Sequence, residues 1–400
     1  MPVTAVDFSY QLDDRYTRRA GRVYLNGSQA LVLLPLLQRE RDQQAGLNTA
    51  GFISGYTGSP LGGYDIALKQ AAPHLEKHHV HFRPGVNEDL AATSVWGSQQ
   101  ATLMPGARYD GVFSLWYGKG PGVDRSGDAL KHGSYAGASE HGGVLVLAGD
   151  DHGAKSSTTA HQSDQAFVHF GMPYLNPADV QDYLDFGLYG FALSRYAGCW
   201  LGMKCVTDTV ESSASVSIDP ERIDVRIPGD FELPEAGLNL RWGVMPLEQE
   251  SRQQLRLRAA QAFVRANGLN REMISATHGA LGIVTSGKAY LDVRQALDEL
   301  GLDEQRCREL GISVLKVAMP WPLEPRQLSE FCQRHREVLV VEEKAPVMED
   351  QLASLLYSAE PRPRLTGKTD GAGATLLPVT GELNPLTVAR ALGQRLQALG

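Results

Sequence analysis

Hydrophobic positions along the chain change period several times, and each change marks an element. Between Asn26 and Gln44 the apolar residues Ala30, Leu31, Leu33, Leu34, Leu36 and Leu37 recur on one helical face. Asn26-Gly27-Ser28 offers a start signal and Gly46 follows the polar end, while Pro35 inside the pattern predicts a kink. Thr49 to Ser54 reads as a short strand entering a glycine- and proline-rich turn. Tyr64 to His74 reads as a helix and His78 to Arg83 as a strand-like run. Gly111 to Trp116 and Gly143 to Leu147 are continuous apolar runs, which suit strands covered on both faces of a parallel sheet. Periodic segments around Asp89 to Leu103 and Asp128 to Ala138 supply crossover helices, and this rhythm is that of an open α/β domain.

From Ser212 to Arg241 the chain turns Ser-rich, Pro-containing and acidic, as a connecting segment does. A charged helix from Leu247 to Asn267 leads into a second set of βα units. Its strands are predicted at Leu281 to Thr285, Ser313 to Val317 and Val338 to Glu342, with a helix at Tyr290 to Leu300. Glu360 to Ala374 reads as a loop, and Leu386 to Leu399 as a closing helix started by Asn384-Pro385. The expected architecture is therefore α/β with two open parallel-sheet domains, over 1–215 and 271–400, joined by a linker and helix over 216–270.

A formal net charge of −8 and a pI near 5.8 argue against a nucleic-acid-binding surface as the main function. No apolar run reaches the ~20 residues that span a bilayer. Met1 to Asp7 lacks the basic segment and apolar stretch of a secretion signal, so a cytoplasmic location is expected. Cys199, Cys205, Cys307 and Cys332 form no Cys-x-x-Cys pair and fit neither a zinc ribbon nor a ferredoxin cluster; four reduced, buried thiols are expected.

Candidate chemistry gathers around four segments. Glu88 opens a small-residue helix in Val86-Asn87-Glu88-Asp89-Leu90-Ala91-Ala92, downstream of the turn Ser54 to Gly63. Held among Ala, Val and Trp, its carboxylate would be partly desolvated, which strengthens a hydrogen bond to a ring nitrogen. An acid at a helix start is otherwise simply favoured by the helix dipole. Thr57, flanked by Tyr56, Gly58 and Ser59, lies in a turn whose glycines let backbone approach a ligand. A turn of this composition also satisfies its own backbone, and both readings stand. Lys119, in Gly118-Lys119-Gly120-Pro121-Gly122, meets either a substrate carboxylate or solvent at a loop tip. Asp150, Asp151 and His152 follow an apolar strand at the end where open α/β sheets place ligands; the aspartates also suit capping a turn, and His152 reads as a loop histidine with no catalytic task. His74, His78, His79 and His81 lack metal-ligand spacing. Neither a P-loop nor Gly-x-Gly-x-x-Gly is present.

Taken in order, Gly55-Tyr56-Thr57-Gly58-Ser59-Pro60, Asn87-Glu88, Trp116 to Asp124, Gly143 to Gly153, Ser156-Ser157 and Asp164 resemble the large subunits of indolepyruvate:ferredoxin oxidoreductases. These belong to the thiamine diphosphate-dependent 2-oxoacid:ferredoxin oxidoreductase family. The resemblance implies a pyrimidine-binding domain followed by a transketolase C-terminal-like domain. It also implies that Glu88 is the acid facing the cofactor's aminopyrimidine, and that Thr57 lies near the reacting centre. Tyr56, Gly58 and Ser59 join it in the cofactor turn, and Lys119 and Asp151 are the candidates for substrate contact. Pyruvate-oxidising relatives carry an arginine where this chain has Gly149-Asp150-Asp151, which disfavours pyruvate.

Thiamine enzymes hold magnesium and diphosphate through Gly-Asp-Gly. Here Gly127-Asp128-Ala129 and Gly149-Asp150-Asp151 both fail at the third position. The resemblance thus implies the amino-terminal part of a longer subunit, or one component of a split enzyme, inactive alone. Mg2+ and iron–sulfur clusters are expected outside this chain, and the remaining domains or subunits, ferredoxin, coenzyme A and further copies of the chain are the expected partners. The implied reaction is oxidative decarboxylation of an arylpyruvate to the acyl-CoA. A non-redox thiamine-dependent decarboxylase or lyase component, and a non-catalytic assembly module, are the alternatives.

Overall fold

A computed structural model describes residues 9–400; the Met1 to Asp7 stretch read for a secretion signal lies outside the described residues. The chain forms strands β1 (Arg22–Asn26), β2 (Thr49–Gly55), β3 (Val80–Phe82), β4 (Gly111–Lys119), β5 (Val144–Asp150), β6 (Tyr174–Leu175), β7 (Trp200–Val206) and β8 (Ser213–Ser217). Six of them make one parallel sheet in the order β3-β2-β4-β5-β7-β6. β5 and β7 are buried at every position, so helices cover both faces, and this is why their sequences do not alternate. β1 and β8 pair antiparallel beside the sheet, giving partners to a serine-rich segment that reads locally as linker.

The helix Gly27–Gln44 starts on a reciprocal cap, in which the Asn26 side chain accepts from Gln29 N–H and the Gln29 side chain accepts from Asn26 N–H. It runs unbroken past Pro35. Proline has no N–H for the carbonyl four residues back, Leu31. The buried Tyr64 hydroxyl fills that gap, donating to Leu31 O at 3.2 Å. The helix expected at Tyr64 to His74 is instead two, Gly62–Gln70 and Ala72–Lys77, because Pro73 restarts the second. The helix around Asp89 to Leu103 ends at Gln99 and is followed by a 3-10 turn, Ala101–Leu103.

The second sheet contains β9 (Arg271–Ile274), β10 (Gly279–Thr285), β11 (Ile312–Lys316), β12 (His335–Val341) and β13 (Arg364–Thr366), in the order β13-β12-β10-β11-β9. β10, β11, β12 and β13 pair in parallel, whereas β9 is antiparallel to β11. The link from β9 to β10 is too short for a crossover, so the two must run in opposite directions. β13 lies inside the segment expected to be loop. The helix Pro246–Ala266 and the backbone bonds Tyr174 N to Trp321 O (3.1 Å) and Asn176 N to Ala318 O (2.9 Å) tie this unit to the first sheet. A buried ion pair between Lys316 and Asp182 (2.6 Å) adds to them. All four cysteines are free and buried.

Candidate cofactor and substrate site

The predicted residues converge on the edge of the first sheet where β2, β3, β4 and β5 end. Tyr56 N–H donates to Tyr117 O at 3.1 Å and Gly85 N–H to Gly55 O at 2.8 Å, which ties the glycine-rich turn to both neighbouring strand ends. Gly55 is so close to Tyr117 that a β-carbon would fall 2.1 Å from its carbonyl oxygen. Only glycine fits there. Gly58 lies against Lys119, with a β-carbon position 3.0 Å from the Lys119 Cβ. Tyr56 and Thr57 are exposed on this edge.

Glu88 is the first residue of the helix Glu88–Gln99, whose cap is Asn87 accepting from Leu90 N–H at 2.8 Å. The Trp116 indole N–H donates to Glu88 O at 3.0 Å, fixing the helix start to the buried end of β4. The Glu88 side chain lies over Gly122, where a β-carbon would stand 2.7 Å from its Cγ and 2.8 Å from Oε1. No hydrogen bond or ion pair among the described residues engages the Glu88 carboxylate. The apolar surround expected from the sequence divides: Ala91, Ala92, Val95 and Trp116 are buried, but Val86 and Leu90 face outward, 83% and 51% exposed, and Glu88 is half-buried. Val86 precedes the helix, and within the helix Leu90 lies off the face that Ala91, Ala92 and Val95 bury.

Lys119 closes β4 and donates to Ser156 O at 2.6 Å and to the Ser156 hydroxyl oxygen at 3.2 Å. Asp151 is buried at the end of β5 and accepts from Lys155 N–H, Ser156 N–H and the Ser156 and Ser157 hydroxyls, at 2.8–3.3 Å. Burial works to raise its pKa, but these donors outweigh it and hold the carboxyl below its ordinary value. Asp151 therefore shapes the loop 151–163, and the direct substrate contact expected of it would compete with four donors. His152 Nδ1 faces His161 O at 2.8 Å, and His161 packs on Gly120. The loop thus roofs the segment that supports Glu88.

Sequence reasoning missed two features. Lys204, buried within β7, sits 2.6 Å from Asp164 and 3.5 Å from Asp150; Tyr174 OH donates to Asp164 at 2.6 Å, and Ser163 donates twice to Asp150. Burial alone would lower the Lys204 pKa, yet the two carboxylates raise it. A lone lysine in an otherwise apolar run was the signal available. The second feature is a clamp from the C-terminal unit onto the same loop. Gln162 and Ala345 exchange two hydrogen bonds (2.9 and 3.0 Å), Lys344 donates to His152 O (3.0 Å), and Lys155 pairs with Glu382 (2.9 Å). Lys344 adopts a φ of 56°, which is uncommon for a side-chain-bearing residue.

The pyrimidine end of thiamine diphosphate would need an unengaged acid at this edge, and Glu88 is one: among the described residues nothing pairs with its carboxylate. Among the described residues, no group of three or more His, Cys, Asp or Glu could hold a metal ion.

Residues 271–400 match the indolepyruvate oxidoreductase domain. Over 380 residues the chain is 26% identical to indolepyruvate oxidoreductase subunit IorA of Methanothermobacter thermautotrophicus, covering 90% of this chain and 53% of the relative. Against the Pyrococcus abyssi subunit it is 26% identical over 339 residues, 83% of this chain and 47% of that one. The chain spans about half the length of the curated relatives it matches. Among solved structures, a 2-oxoglutarate:ferredoxin oxidoreductase from Magnetococcus marinus superposes with a TM-score of 0.66 at 17% identity, covering 94% of this chain and 65% of that one. A split-gene transketolase superposes with a TM-score of 0.53 at 14% identity, covering 92% and 98%. The chain shares the fold of these two enzymes, and in sequence it is similar to the IorA subunits of indolepyruvate oxidoreductases.

Proposed function

We propose that the chain supplies the pyrimidine-binding half of a thiamine diphosphate site in an arylpyruvate:ferredoxin oxidoreductase. The observation that carries this is the Glu88 carboxylate, free of internal partners on a glycine-lined strand edge, in a homologue of IorA. We assign residues 1–215 as the pyrimidine-binding domain, 216–270 as the connection and 271–400 as the transketolase C-terminal-like domain.

When bound, thiamine diphosphate supplies the carbanion chemistry of 2-oxo acid decarboxylation. The chain's contribution is placement and proton control. Glu88 shares a proton with the ring nitrogen opposite the cofactor's amino group, and a half-buried carboxyl is suited to that once a second surface covers it. The exposed Tyr56, Val86 and Leu90 beside it offer apolar surface for that covering. Gly55 lets the turn pack directly on Tyr117, and the exposed Tyr56 and Thr57 that follow it would line the same edge. Lys119 retains donors beyond those given to Ser156 and is the cation available to a substrate carboxylate. Asp151 positions the roof loop.

Mg2+, iron–sulfur clusters, ferredoxin and coenzyme A belong in this proposal to the rest of a cytoplasmic, oligomeric enzyme, since the chain spans about half of its relatives. The test is anaerobic reduction of ferredoxin by the complete enzyme with coenzyme A and thiamine diphosphate, comparing indolepyruvate, pyruvate and 2-oxoglutarate. Preferred turnover of the aryl substrate is expected. Absence of thiamine-dependent turnover with any of the three would overturn the reading.

A further inference from the structure

A cavity of about 410 Å3 lies between the helices Gly27–Gln44 and Val180–Ala197, beneath the segment 217–223. None of its lining comes from the strand-end loops that carry Glu88, Thr57 and Lys119. Its walls are aliphatic, with Leu37, Leu184, Leu188, Ile218 and Ile223, and no aromatic ring lines it. The size is that of a small-molecule site, and so is the combination of apolar walls with a few polar groups.

Three arginines stand at its rim, and their charges are not equally matched. Arg19 pairs with Glu40 at 2.6 Å and Arg222 with Asp185 at 2.5 Å. Among the described residues Arg41 forms no ion pair with a carboxylate. Its neighbour Asp42 is taken by both terminal nitrogens of Arg195, at 2.6 and 2.8 Å. The remaining acid, Asp219, accepts from Gly21 N–H and the Ser217 hydroxyl. Arg41 donates only to backbone, to Pro220 O at 3.3 Å and Ile223 O at 3.0 Å. Burial draws its guanidinium below the ordinary value. A half-buried guanidinium that forms no ion pair among the described residues, beside an apolar cavity, is complementary to a carboxylate on an apolar body.

We propose that this cavity binds a small organic monocarboxylate, its carboxylate on Arg41 and its apolar body against Leu184, Leu188 and Ile218. Polyanions are disfavoured by the acids at the rim, Glu40, Asp185 and Asp219. Aliphatic walls without a stacking ring favour bulk and apolarity over any one ring system. The inference does not depend on the catalytic reading, because it concerns different residues and needs no cofactor.

Calorimetric titration of the chain with 4-methylpentanoate, phenylacetate and octanoate, each beside its neutral amide, tests it. At least one acid should bind saturably at one site, with its amide about tenfold or more weaker, as expected for a lost charge-assisted hydrogen bond. Arg41→Met should remove the difference between acid and amide. Leu188→Trp, which fills the cavity and leaves Arg41 in place, should abolish binding of both, with circular dichroism confirming the fold. The acid–amide comparison uses unaltered protein and stands even if a variant fails to fold. Equal binding of acid and amide, no saturable binding of any acid, or unchanged affinity in a folded Leu188→Trp protein would each overturn the proposal.

Discussion

Glu88 rests on Gly122. A β-carbon at position 122 would lie 2.7 Å from the Glu88 Cγ and 2.8 Å from Oε1, so the acid's position depends on a missing methyl group beyond the end of β4. Gly122→Ala should therefore act through Glu88. We expect the variant to fold, with thiamine-dependent turnover of the complete enzyme reduced about 10–100-fold, the range of a misplaced proton-transfer group. Wild-type turnover in the folded variant would show that Gly122 does not set the acid.

The roof loop gives a second prediction. Asp151 gathers the N–H groups of Lys155 and Ser156, and Lys119 holds Ser156 O from the other side. Asp151→Asn keeps the shape but weakens acceptance from these donors, and it should speed amide hydrogen exchange at Lys155 and Ser156 by about tenfold or more, consistent with charged hydrogen bonds of about 1.5–3 kcal/mol. Exchange measured by mass spectrometry decides it; unchanged protection of 153–161 would remove Asp151 from this role.

Tyr64 and Pro35 provide a test of the fold alone. Tyr64→Phe removes the hydroxyl that donates to the Leu31 carbonyl left open by Pro35, and the site is buried. The expected loss of stability is about 1–3 kcal/mol, read as a lower midpoint in urea with an unchanged slope.

Glu342 carries a pH dependence. Burial pushes its carboxyl up to about 7, although it accepts from the N–H groups of Val347, Met348 and Glu349. In an unfolded chain a glutamate titrates near about 4.3. Between these values the folded state keeps a proton that the unfolded chain has lost. Glu342's contribution to stability is thus full at low pH and falls as pH rises towards 7. Glu342→Gln removes this titration, so its stability relative to wild type should improve from about pH 5 to about pH 8 by on the order of 1–3 kcal/mol. Denaturant melts at the two pH values test it, and a constant difference would contradict it.

How far the sequence reaches is clear from particular residues. β4 and β5 were legible because a strand buried on both faces writes a continuous apolar run. The helix start at Glu88 was legible because an acid ahead of a run of small residues is a local signal. β7 was missed: Lys204 interrupts its apolar run, and the compensating Asp150 and Asp164 lie far away in the chain. β8 was hidden for a related reason, since Ser213 to Ser217 becomes a strand only through β1, almost the whole first domain earlier. The site shows the same division. That Glu88, Thr57, Lys119 and Asp151 follow strand ends could be read from the strand–turn order, but not that Lys119 and Asp151 meet at Ser156, nor that Lys344 and Gln162 brace the loop from the second unit. Those relations exist only after folding.

The central claim is that Glu88 controls the proton on the cofactor's aminopyrimidine, and its most direct measurement is the exchange rate of the thiazolium C2 proton for deuterium in the complete enzyme, by NMR after rapid quenching. Glu88→Gln keeps the shape and removes the ionisable group. Exchange slowed by about 100-fold or more, the scale of a lost acid–base group, with thiamine diphosphate still bound, is the predicted result; exchange at the wild-type rate in the folded, cofactor-loaded variant would contradict it.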